Sequence, residues 1–162
     1  MIRQYNKIMT RVSLFLNNIG SIILFLIMLL VIANVLLRLI GKPIQSTFEL
    51  VGLLTSVVIG FTLAFCAVKD AHISISILIQ RFSVKSQKVV DIFINFISIV
   101  FLAFVTFQMF KYASLMSERG EIAVTAGIKI APFIYMITVG IGVYAFVQVG
   151  KFLSLFAKDG DD

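Results

Sequence analysis

The residues able to do chemistry in this chain are few and stand beside long apolar runs: Arg38, Glu49, Cys66, Lys69, Asp70, His72 and Asp91. A membrane carrier for an ionic solute, or one coupled to protons, needs ionisable groups or interrupted helices near the middle of the bilayer. The stretch RLIGKPIQSTFEL, residues 38–50, therefore poses the first question, because it places Arg38 at the end of one apolar run and Glu49 at the start of the next. All five charged residues of the group fall at the ends of such runs. There a charge costs well below the roughly 2.5–3.5 kcal/mol expected at the bilayer centre. No proton relay can be drawn through the runs themselves.

Other chemistries fare no better. Cys66 is the single cysteine and lies inside an apolar run, which excludes a disulfide or a cysteine cluster within the chain and fits a small apolar filler. His72 is the single histidine, so bis-histidine haem ligation within the chain is impossible, and a hydrogen bond at a helix end is its plain role. No nucleophile–base pattern marks an enzyme, and neither metal nor cofactor is implied. The two prolines, Pro43 and Pro132, fall in a loop and near a helix start, where proline is tolerated.

The elements that must position these residues are read from the apolar runs. The chain has 162 residues, 60% of them hydrophobic, and only 14% charged. Its mean hydropathy is +1.06. Four stretches, 12–37, 50–68, 92–110 and 130–150, lack Asp, Glu, Lys, Arg and His, and each can cross a hydrocarbon layer about 30 Å thick as a helix. A β-barrel would instead show short stretches of alternating polarity. The fold expected is all-α: one domain, an integral membrane bundle of four transmembrane helices spanning about 14–38, 48–68, 90–113 and 130–153. HISISILIQRFS, residues 72–83, is too short to span and reads as a short interfacial helix.

Lys and Arg divide nine to five between alternate sides, with Arg3, Lys7, Arg11, Lys69, Arg81, Lys85, Lys88, Lys151 and Lys158 on the richer side. The positive-inside rule then places both termini in the cytoplasm. The net charge of +6 serves topology on this reading, not nucleic acid, because the basic residues are scattered among short loops. The basic start, MIRQYNKIMTRV, leads into an apolar run too long for a cleaved signal, so the first helix is expected to stay attached.

What the runs offer is adhesion. Gly52, Ser56, Gly60 and Ala64 recur every four residues, forming a small-residue stripe that either packs inside the bundle or docks on another protein. Asn17, Asn18, Asn34, Asn95, Gln108 and Gln148 are neutral amides suited to interhelical hydrogen bonds. Ser46-Thr47-Phe48-Glu49 fits a capping box, in which the Ser46 hydroxyl accepts from the Glu49 amide while the Glu49 carboxylate reaches back. Arg38 is placed to bond the last carbonyls of the first helix and to snorkel to lipid phosphates.

A first helix ending in VLLRLIG, a turn leading to FEL, a Gly-containing second helix and then KDAHISISIL resemble the small membrane subunit (DctQ-type) of tripartite ATP-independent periplasmic (TRAP) transporters. The resemblance covers the chain in length, four-helix layout and inferred topology. Arg38, Glu49 and His72 fall where that family places an arginine, an acidic residue and a histidine; Phe48 stands where the family often has tryptophan.

The resemblance implies a bacterial inner-membrane complex. In it a large multi-helix subunit carries the substrate and sodium sites, and a periplasmic binding protein delivers an organic acid such as sialic acid or a C4-dicarboxylate. The small subunit would brace the large one as a scaffold among membrane lipid. Apart from the resemblance, Lys42 in the first connection and Glu118, Arg119 and Glu121 in the third are expected to help dock the binding protein through exposed charge. Two other classes compete: a self-sufficient four-helix proton-coupled exporter, and the membrane anchor of a redox enzyme.

Overall fold

In hydrocarbon a backbone must satisfy its own N–H and C=O groups, and apolar runs free of interior proline do so as continuous helices. A computed structural model describing residues 2–69 and 84–157 shows this outcome. Its four helices are α1 (Ile2–Leu39), α2 (Thr47–Val68), α3 (Val84–Arg119) and α4 (Ala131–Ala157). Each contains a segment long and apolar enough to cross a membrane. The expected interfacial helix at 72–83, with His72, lies outside the described residues.

Three of the helices, α1, α3 and α4, run well past their apolar stretches, whereas α2 matches its own closely. With 38 residues, α1 is about 57 Å long, nearly twice the hydrocarbon thickness. Its first turns are held to α4: the Tyr5 hydroxyl donates to the Phe146 carbonyl at 3.0 Å. Between α3 and α4 an isolated antiparallel bridge pairs Ile122 with Lys129.

The centre of the bundle is the pair α2–α4. Of the most apolar window in each of these helices 28% is buried, against 6% for α3. α1 packs on both central helices, while α3 leans on α4. Leu16, Val57 and Phe61 form the buried cluster joining α1 to α2, with Ile137 and Val143 of α4 against it. A second cluster, Ala113, Met116, Ala131 and Ile134, joins the end of α3 to the start of α4. Across the same pair Gln148 donates to the Asn95 side-chain oxygen at 2.9 Å, an interhelical amide bond that fixes register.

The closest approach is a crossing of two glycines. A methyl group on Gly140 would overlap the Gly60 carbonyl and come within 3.0 Å of the Phe61 nitrogen; one on Gly60 would lie 3.2 Å from the Ile137 Cα. Without a solvent-driven term between helices in lipid, such backbone proximity is what gives α2 and α4 their dispersion contact. The small-residue stripe of α2 thus has two halves. Gly60 and Ala64 are buried inside the chain, whereas Gly52 and Ser56 are exposed, with no atom within 4 Å of a Cβ built on Gly52.

The halves predict opposite responses to an added methyl. Gly140→Ala forces α2 and α4 apart and should cost on the order of 1–3 kcal/mol, the usual penalty of overpacking. Gly52→Ala meets open space and should leave stability unchanged or slightly raised, since alanine is the better helix former. Unfolding by SDS titration in mixed micelles, followed by circular dichroism, separates the two; equal midpoints would refute the crossing.

Candidate functional site

At the end of the bundle where α1 passes to α2 and α3 to α4, Arg38, Lys42, Glu49, Glu118, Arg119 and Glu121 stand on or beside the two connections. The last turn of α1 closes on backbone donors: the Gly41 N–H bonds the Arg38 carbonyl at 3.1 Å and the Lys42 N–H bonds the Leu37 carbonyl at 2.9 Å. The expectation that the Arg38 side chain satisfies these carbonyls is therefore corrected; the following turn does so, and Arg38 is exposed. Asn34 reaches out of α1 to take the Ile44 N–H at 2.8 Å, and the Thr47 hydroxyl donates to the Ile44 carbonyl at 2.8 Å. Both bonds pin the first connection to the helices it joins.

The second connection is a small closed loop. The Glu121 N–H returns to the Met116 carbonyl at 3.2 Å, and the Ile130 N–H to the Glu121 carbonyl at 3.2 Å. The Ala123 N–H bonds the Ile128 carbonyl, and the Gly127 N–H the Ala123 carbonyl, each at 2.8 Å. Gly127 takes a positive φ of 65°, which an L side chain adopts only under strain. The turn leaves the N–H groups of Thr125 and Ala126 pointing the same way, a concavity suited to an anion.

Glu49 supplies that anion. Its Oε2 accepts from the Thr125 N–H at 2.9 Å and from the Ala126 N–H at 3.0 Å. The capping box expected for Ser46–Glu49 is not formed. Ser46 has helical φ and ψ of −77° and −4° and makes no side-chain cap, because a hydroxyl reaches the first-turn amides from an extended backbone. The carboxylate instead reaches a connection distant in sequence, tying the start of α2 to the loop before α4. It remains in the first turn of α2, where the helix dipole favours it.

Around this clasp lie the other residues singled out above. Lys42, Glu118, Arg119 and Glu121 are all exposed at the same end. Phe48 and Val124, 90% and 88% exposed, flank Glu49 and the loop tip, adding an apolar rim that the charges alone do not suggest. The loop amides of Thr125 and Ala126 escaped sequence reasoning, although the turn signal Thr-Ala-Gly marks a place where backbone donors are freed. Among the described residues no group of three or more His, Cys, Asp or Glu could hold a metal ion. Chemically, the arrangement fixes loops: its carboxylate is already occupied by two amides.

Comparison with known proteins gives one family. The family model for tripartite ATP-independent periplasmic transporters, DctQ component, matches residues 27–158. No curated protein and no solved structure matches.

Removing the Glu49 carboxylate should free the loop while leaving the helices paired. In Glu49→Ala, amide hydrogen exchange at Thr125 and Ala126 should rise to the level of solvent-exposed loop amides, with the α2–α4 amides unchanged. Protection that survives the substitution would show that the loop holds itself.

Proposed function

The chain belongs to the DctQ family of tripartite ATP-independent periplasmic transporter components, and from that premise we propose that this multi-pass small subunit is a static brace for the large transport subunit. The observation that carries the reading is where the ionisable groups lie. Glu49, the acidic residue nearest the interior of α2, is committed to two loop amides. The stretches 12–37, 50–68, 92–110 and 130–150 contain no ionisable acidic, basic or imidazole side chain. Binding an anionic solute or its driving cation requires such groups or an interrupted helix. A proton-coupled exporter would need a free carboxylate in a span.

A brace must resist deformation, and the features supporting that are the glycine crossing of α2 with α4 and the two pinned connections. On this reading the substrate, an organic acid such as sialic acid or a C4-dicarboxylate, and the sodium ions that drive it are handled by the large subunit. The outer half of the α2 stripe, Gly52 and Ser56 beside exposed Phe48, is the surface proposed to receive a helix of that subunit, because small residues let a second backbone come close. Arg38 and His72, matched to the family by position, belong to the same proposed assembly. Family membership supports an inner-membrane placement, and the nine-to-five division of basic residues supports both termini in the cytoplasm. Lys42, Glu118, Arg119 and Glu121 would then face the periplasm, where a binding protein docks.

Two experiments test the assembly. The pair Gly52→Leu and Ser56→Leu should lower affinity for the large subunit by about tenfold or more, as loss of a central contact does, without moving the unfolding midpoint of the isolated chain. Undiminished co-purification would remove this face from the interface. Separately, reversing charge at Lys42 and Arg119 should change the salt dependence of binding-protein association, since exposed charges act through a screened field; an identical salt slope would exclude these residues.

A further inference from the structure

We infer that α3 carries a retention site for one anionic glycerophospholipid. The site lies on a face that the brace reading does not use. Phe96, Val100, Phe104, Gln108, Lys111 and Leu115 follow steps of four and three residues and so form one stripe along the helix. Two shallow furrows run along it, one from Phe96 to Phe104 and one from Phe104 to Leu115, and they meet at Phe104. The combined line covers about 28 Å, comparable to the hydrocarbon thickness and long enough to hold an extended acyl chain under a headgroup.

Polarity is confined to one end of this line. Gln108, Lys111 and Tyr112 line the upper furrow together with Phe104 and Leu115. The Lys111 ammonium rests 4.8 Å from the centre of the Phe107 ring. Gln108 and Tyr112 are exposed, and neither has a hydrogen-bond partner among the described residues. An amide left without a partner beside hydrocarbon is costly, so the furrow is polar in a way that lipid tails cannot satisfy. A phospholipid meets each need in order: its phosphate accepts from Lys111 and Tyr112, its glycerol ester carbonyl accepts from the Gln108 amide, and its chain follows Phe104, Phe101 and Phe96. The net negative headgroup is selected by the ammonium, whose charge no phenyl ring neutralises.

The chain contains no tryptophan, so a single introduced one reports its own surroundings. In vesicles of the full chain, Phe104→Trp should be quenched by a brominated anionic phospholipid present as a minor component, and far less by a brominated zwitterionic one at the same fraction. Val31→Trp on the exposed face of α1 is the control; like Phe104 it sits two turns before a basic residue, here Arg38. Enrichment near Phe104 should reach about fivefold over the bulk fraction, the increment one basic residue gives at a membrane surface, and should vanish in Lys111→Gln.

Equal quenching at both positions, equal quenching by both lipids, or enrichment that survives Lys111→Gln would overturn the site. So would quenching by neither lipid once the large subunit is bound, which would assign the furrow to that protein. As a check that does not alter the furrow's aromatic floor, native mass spectrometry of the unmodified chain should show one anionic phospholipid carried through detergent, absent in Lys111→Gln; its absence from both would also reject the inference.

Discussion

Everything in this bundle hangs on the approach of two backbones at Gly60 and Gly140. In water a helix pair of this composition would be driven together by removal of apolar surface from solvent, but lipid tails are as apolar as the side chains they would replace. What remains is contact at short range, and it grows as the helix axes come closer. At the crossing no Cβ fits on Gly140, so the polypeptides themselves touch, and Val57, Phe61 and Ile137 pack around the point of contact. With α2 and α4 locked there, α1 can lie in the cleft they form and α3 can lean on α4 from the other side.

The same constraint explains the polar devices at the end of the bundle. A helix entering or leaving lipid exposes unsatisfied amides and carbonyls, and a loose connection would let the helices slide along one another. Asn34 and Glu49 each reach from a helix into a connection and take backbone donors there. Neither interaction is local in the sense of a cap. Asn34 bonds ten residues ahead, and Glu49 joins segments 76 and 77 residues apart. The Glu49 clasp therefore couples the height of α2 to that of α4 at the end of the bundle, while the glycine crossing couples them within it.

How much of this could be read from the residues follows from the range of each force. Unbroken apolar runs announce helices because no other open structure satisfies a backbone in lipid, and all four were legible on that ground. The four-residue recurrence of Gly52, Ser56, Gly60 and Ala64 told that a helix has a face for close approach, but periodicity names no partner; Gly140 became visible only when α4 was laid across it. The capping box failed for a related reason. A sequence motif counts only neighbours as donors, and the Glu49 carboxylate found two better-placed amides in a loop folded back over the start of α2. The Arg38 reading erred by giving a side chain work that the backbone N–H groups of Ile40, Gly41 and Lys42 perform.

The asymmetry of the bundle bears on what its surfaces are for. α1 and α3 are both mostly uncovered, yet they differ in what they show. The exposed face of α1 is dominated by Leu, Ile, Val and Met, residues that mix freely with acyl chains, whereas α3 presents Phe93, Phe96, Phe101, Phe104, Phe107 and Phe110. Phenyl rings are rigid, and a row of them with gaps at Val100 and Gln108 leaves fixed furrows into which a chain or a side chain can settle; aliphatic groups fill such gaps by changing rotamer. A surface of fixed shape favours one neighbour over many, and with Lys111 at its polar end it favours a neighbour carrying negative charge. The helix least supported by its own chain is thus the one whose shape is best defined for something outside it.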